Sequence, residues 1–174
     1  KEIEKMRYKV IYGDTDSVFV STGLDAEDSE KTGYEISEKI DKFYENYVKK
    51  NYNRKSYLDL EFDKLYLALI MPKTRAQLKK GEEDKGAKKR YAGLINDKGA
   101  EVLDIVGLEA VRGDWTDAAQ EFQKELLLKI FKQEDTEKFI RNKIQDIRSG
   151  KLDKRLIYRK SIRKELDEYT KTTP

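Results

Sequence analysis

Two carboxylates stand two residues apart, Asp14 and Asp16, within the stretch Arg7 to Thr22, RYKVIYGDTDSVFVST. Held that closely, both are hard to keep ionised without a cation beside them. Hard divalent ions such as Mg²⁺ prefer oxygen ligands and commonly take one or two carboxylates plus substrate phosphates. The pair is therefore a candidate metal site. The plainer account is an Asx-type turn, because Asp and Thr are common turn residues. A calcium loop is excluded: counted from Asp14, an EF-hand needs Gly at its sixth position and Glu at its twelfth, and this chain has Phe19 and Asp25 there.

The elements that must position the pair are legible on either side. Runs rich in β-branched and aromatic residues flank Gly13-Asp14-Thr15-Asp16, and such runs around a short Gly/Asp-rich interruption predict a β-hairpin. Composition narrows the chemistry further. The 174 residues are 41% charged and 37% apolar, with no Cys and no His. There is no thiol nucleophile, no Ser-His or Cys-His triad, and no Cys- or His-based zinc site. Chemistry must rest on carboxylates, lysines, arginines and tyrosines. No apolar run approaches the ~20 residues of a membrane span, and no signal peptide is present. The chain reads as soluble and cytoplasmic, with no membrane partner. Net charge is only +3, so distribution matters more than the total. Between Lys73 and Arg90, eight basic residues face three acidic ones.

Asp14-Thr15-Asp16-Ser17-Val18 also satisfies DxDx(T/V), the first motif of haloacid-dehalogenase-type phosphatases, in which Asp14 would be the phosphoryl-accepting nucleophile. The longer string Tyr12-Gly13-Asp14-Thr15-Asp16-Ser17 resembles YGDTDS, motif C of the family B DNA polymerases. The phosphatase pattern does not ask for Tyr-Gly before the first Asp. Two later strings follow in the polymerase order. Lys88-Lys89-Arg90-Tyr91 is similar to the KKRY motif, although by itself a basic tetrad is also what a charged edge strand carries. Gly107 to Trp115, GLEAVRGDW, is similar to the GLExVRRDW string that joins palm to thumb, with Gly113 in place of its second Arg.

The resemblance implies part of a DNA-directed DNA polymerase, an enzyme of nucleotidyl transfer in DNA replication that is nucleoid-associated in the cell. Asp16 would be the direct metal ligand and Asp14 a weaker or water-mediated one, in a two-ion mechanism with Mg²⁺, or Mn²⁺ as substitute. Lys88, Lys89, Arg90, Tyr91 and Arg112 would meet primer–template DNA, the lysines along the minor groove, where contacts test duplex shape without reading sequence. Asp63, or Glu61, is a possible third carboxylate; the plainer account of both is solvent exposure. Motif A, motif B and the exonuclease domain of the family are absent from this sequence. A larger partner chain, as in a split archaeal-type enzyme, would have to bring them and the dNTP-binding Lys. Without it the chain would be inactive. The alternatives are the phosphatase and a non-catalytic DNA-binding accessory subunit.

The expected fold is α+β, half of a polymerase palm followed by a helical thumb. Residues 1–106 would form the palm part and 107–174 a thumb that relatives commonly continue beyond Pro174. Ile36, Ile40, Phe43, Tyr44, Tyr47 and Val48 recur at helical steps between Asp25 and Asn53 and predict an apolar stripe packed on a sheet. Tyr57 to Met71 predicts one or two strands, the latter part well buried. Lys88 to Ile95 and Ala100 to Val106 predict a second hairpin, turning at Asn96 to Gly99. Trp115 is expected packed at a domain junction. Two helices follow, from about Asp117 to Lys132 and from Glu134-Asp135-Thr136 to Gly150, with Phe139, Ile140, Ile144 and Ile147 inside. Leu156 to Tyr158 predicts a short strand or the start of a helix, and Ser161 a cap for a last segment through Tyr169.

Overall fold

The computed structural model describes residues 1–72, 89–97 and 99–159. The expected loop at Pro72 to Gly86, Lys88, and the last predicted segment therefore lie wholly or largely outside the described residues. The fold is α+β: antiparallel strands in small sheets, with helices α1 (Glu2–Lys5), α2 (Ala26–Tyr52), α3 (Asp117–Phe131) and α4 (Thr136–Arg148). The chain divides into two compact units, Lys1–Asp104 and Ile105–Pro174.

In the first unit, β1 (Lys9–Gly13) and β2 (Val18–Ser21) pair antiparallel, with Tyr12 opposite Phe19 and Gly13 opposite Val18. A bulge between Val10 and Tyr12 shifts the register. Asp25 starts α2, its carboxylate accepting the Asp28 backbone N–H at 2.9 Å. This satisfies one of the amide groups that a helix start leaves unpaired. Asn53, in the left-handed conformation at φ 47°, ends it. Only the first part of the predicted stripe is covered. Ile36 and Ile40 join Ile3 in a core against Val10, Val18, Val20 and Leu60, whereas Tyr44 and Tyr47 stay exposed.

The second sheet has the order β3 (Tyr66–Ile70), β4 (Tyr91–Asp97), β5 (Ala100–Val106). The strand expected from Tyr57 is shorter than predicted. Residues 54–65 run without strand pairing, and β3 is half-covered, with Leu67 exposed. The basic tetrad does not open β4 either. Lys89 is in a turn with φ 55°, and the strand starts only at Tyr91. The predicted turn is present: Gly99 takes φ 87°, and its N–H donates to the Asn96 side chain at 2.9 Å.

In the second unit, Glu109–Val111 forms a 3₁₀ turn, and Thr116 caps α3 by accepting the Ala119 N–H. Asp135 caps α4, and Gly150 at φ 78° follows its end. Phe122 and Phe139 stack face to face, 5.6 Å between centroids, which fixes the pairing of α3 with α4. The buried residue of α3 is Leu127. Ile144 and Ile147, expected inside, are exposed, as is Trp115. α4 buries no residue. Instead of a strand, Asp153–Arg155 forms a 3₁₀ turn and Leu156 to Tyr158 is irregular. Among the described residues no helix is long and apolar enough to cross a membrane.

Candidate active site

The hairpin closes tightly, the Asp14 N–H donating to the Ser17 carbonyl at 2.9 Å, so Thr15 and Asp16 form its tip. Neither has positive φ. The turn is therefore not one of the left-handed types that require Gly or Asn, and ordinary residues hold it. Gly13 likewise has negative φ, and a methyl group there would meet nothing closer than Ser17 O at 3.9 Å.

The two carboxylates live in different surroundings. Asp14 is tied down: its side chain is 10% exposed and accepts the Thr15 N–H at 2.9 Å and the Tyr12 hydroxyl at 3.4 Å. Lys89 Nζ lies 3.6 Å from the same oxygen that faces Tyr12. The Thr15 backbone amide, with Lys89 adding to it, holds the Asp14 carboxyl below the usual carboxylate range. Asp16 is exposed, and no hydrogen bond or ion pair engages it among the described residues.

Tyr12 links the hairpin to the start of β4, accepting the Lys89 backbone N–H at 2.9 Å through its hydroxyl. Behind it, four rings interlock. Tyr12 and Phe19 meet edge-on at 5.3 Å, Phe19 and Tyr91 at 5.1 Å, and Phe19 stacks on Tyr66 at 5.5 Å. Such pairs add ~0.5–1.5 kcal/mol each beyond their burial. Tyr66 in turn donates to Asp104 at 2.5 Å, and Lys64 lies 3.3 Å from the same oxygen. Burial, with the Asp104 hydrogen bond, pushes the Tyr66 hydroxyl pKa well above its ordinary value. The sequence reading missed Tyr66, Lys64 and Asp104. Tyr66 and Asp104 are 38 residues apart, and no short motif joins them.

Of the other predicted positions, Asp14, Asp16, Lys89 and Tyr91 gather in one region through these contacts. Lys88 lies outside the described residues, and Arg90 follows Lys89 ahead of the strand. Asp63 is 83% exposed with Lys64 at 3.6 Å. Glu61 is also exposed, and both line an open groove of about 680 Å³ that Asp16 lines too. Arg112, in the second unit, forks onto Asp114 at 2.9 and 2.6 Å. That bond raises the Arg112 pKa.

Among the described residues no three acidic side chains gather as a metal cage. The chain offers two carboxylates at the tip, one engaged internally and one free. This suits an ion that takes few protein ligands and completes its shell with water and phosphate; it does not suit a closed structural metal site.

The description for DNA polymerase family B matches residues 1–174. DNA polymerase II of Escherichia coli (strain K12) is 38% identical over 174 residues, covering 99% of this chain and 21% of that protein. A DNA polymerase of Archaeoglobus fulgidus is 33% identical, over 97% of this chain and 18% of its own length. DNA polymerase 2 of Aeropyrum pernix is 34% identical over 84% of this chain and 14% of its own. The chain thus spans about a fifth or less of the length of these relatives. A family match that extends over residues 1–174, with a relative 38% identical over 99% of the chain, decides between the two families that DxDx(T/V) fits: the chain belongs to DNA polymerase family B.

Proposed function

We propose that this chain supplies a metal-binding carboxylate and part of the primer–template grip of a DNA-directed DNA polymerase. The observation that carries the reading is the division of labour at the tip. Asp16 is exposed and unengaged while Asp14 is held by Thr15, Tyr12 and Lys89. A ligand for an exchangeable ion must be free, and a ligand already bonded to its own protein is a poor one. Asp16 is the direct ligand for Mg²⁺, or Mn²⁺ in its place, and Asp14 the weaker partner. Divalent ions bound there supply activation of a primer 3′-hydroxyl and neutralisation of triphosphate charge.

The chain's own residues orient and bind. The hairpin presents Asp16 on two strands that the ring cluster braces. Lys89, Arg90 and Tyr91, with Lys88, meet the duplex, and Arg112 meets a phosphate by exchanging Asp114 for it. Asp63 or Glu61 serves as a third, outer carboxylate. Residues 1–106 act as the palm part and residues 107–174 as the thumb. A larger chain brings motif A, motif B, the exonuclease and the dNTP site. Primer extension by the assembled enzyme tests the reading. Asp16→Ala should lower kcat by ~10³-fold or more, since charge neutralisation is the main catalytic resource, and Asp14→Ala by less. Polymerisation at a normal rate by Asp16→Ala would refute it.

A further inference from the structure

Tyr66 is neither in the hairpin nor in the basic strand, yet it touches both. Its ring stacks on Phe19 of β2 at 5.5 Å and 25°, and meets Tyr91 of β4 edge-on at 6.1 Å. Phe19 lies across from Tyr12 in the β1–β2 register, and Tyr12 reaches both Asp14 and Lys89. One line of rings therefore runs from Tyr66 to the tip that presents Asp16.

The Tyr66 ring is fixed from two more sides. Its hydroxyl donates to Asp104 at 2.5 Å, and Asp104 is neutralised by Lys64 at 3.3 Å. On the β4 side, a methyl group at Gly93 would come within 2.2 Å of the ring, so only glycine leaves room for it. A ring that merely filled space could be phenylalanine, with no buried hydroxyl to satisfy and no ion pair to build for it. The Asp104–Lys64 pair gives that hydroxyl one position, and the ring with it.

We infer that Tyr66 is a positioning residue for the metal-binding turn, its hydroxyl held by Asp104, which Lys64 neutralises, so that Phe19, stacked on Tyr66 and edge-on to Tyr12, holds the tip with Asp16 in place; this rests on the polymerase reading above. A small displacement of a reacting group costs far more in turnover than in binding. Tyr66→Phe keeps the ring and releases the clamp. In the assembled enzyme it should lower kcat roughly tenfold, leave the dNTP KM and duplex Kd within about twofold, and weaken Mn²⁺ binding read by solvent proton relaxation. Asp104→Ala should reproduce this pattern, and Asp104→Asn, which keeps an acceptor for the hydroxyl, should restore most of kcat.

Tyr66→Phe with kcat and Mn²⁺ affinity within twofold of wild type would overturn the inference. So would a loss of kcat matched by an equal loss of duplex affinity and a lowered melting temperature, which is what a merely structural ring would give. A wild-type assembly unable to extend a primer would overturn the polymerase reading and the inference together. A wild type that extends, beside an indifferent Tyr66→Phe, overturns the inference alone.

Discussion

Lys89 carries three tasks in one residue. Its backbone N–H meets Tyr12, its ammonium lies beside Asp14, and its φ of 55° is in the left-handed region that side-chain-bearing residues seldom adopt. Strain of this kind costs of the order of 1 kcal/mol or more and persists where surrounding contacts over-determine it. The Tyr12 hydroxyl is such a contact. The ammonium itself is 72% exposed, so its bond to Asp14 is screened and easily exchanged. Under the proposed function it exchanges Asp14 for the duplex. Lys89→Ala keeps a side chain on the same backbone and removes the ammonium together with its aliphatic stem. It should weaken duplex binding at low salt and reduce the slope of log K against log salt by ~0.9, with little change in sequence preference. Filter-binding titrations at several salt concentrations measure this, and an unchanged slope would count against a phosphate or groove contact from this residue.

Among the elements, α2 and the segment after it depend on one close approach. Gly33 lies within the helix, and a methyl group there would sit 2.3 Å from the Phe62 ring, which packs on Tyr34 at 4.9 Å. Helix propensity alone would favour alanine by ~1 kcal/mol, and forcing a methyl into a filled contact costs ~1–3 kcal/mol. Overpacking prevails, because the methyl meets the body of the ring rather than a flexible tip. Gly33→Ala should therefore lower the stability of the first unit by about 1 kcal/mol, read from urea denaturation. Gly113 offers the contrast. It has no positive φ and nothing within 4 Å of an added methyl, so Gly113→Ala should be within ~0.5 kcal/mol of wild type. The backbone there does not require glycine, and the Arg that the family string carries would fit.

For the molecule as a whole, uncovered apolar surface is the dominant fact. Phe43, Tyr44, Tyr47 and Tyr52 contact one another along α2, yet Tyr44, Tyr47 and Tyr52 are exposed. Beside them an open groove of about 560 Å³, lined by Ile3, Val10, Phe43 and Leu60, ends at Asp16. Exposed rings side by side on one helix are apolar surface that burial against a second surface would stabilise. The larger chain proposed above would cover it, along the first hairpin and α2, with an obligate interface above roughly 2,000 Å². Native mass spectrometry of material purified from the source cell should then find this chain in a heterodimer. Residues 1–174 by themselves should not extend a primer, since under the proposed two-ion reading they bring one free metal carboxylate at the tip. A monomeric, cooperatively folded chain free of exposed apolar surface would remove the physical ground for that partner.

Local chemistry made much of this legible in advance. Runs rich in β-branched and aromatic residues around Gly-Asp-Thr-Asp specify a hairpin, and Gly99 and Gly150 specify reversals, because each acts on backbone groups a few residues away. The Asp14–Asp16 pair belongs with them, and so does the family, whose strings are contiguous. Tertiary structure alone decided the rest. Which of the two aspartates is free depends on Tyr12 and on Lys89, 77 residues from Tyr12. The clamp on Tyr66 depends on Asp104 and on the absence of a side chain at Gly93. Periodicity says that a face is apolar but not what covers it, so Ile36 and Ile144 read alike in sequence, and only the packing of other elements buries the first and leaves the second exposed.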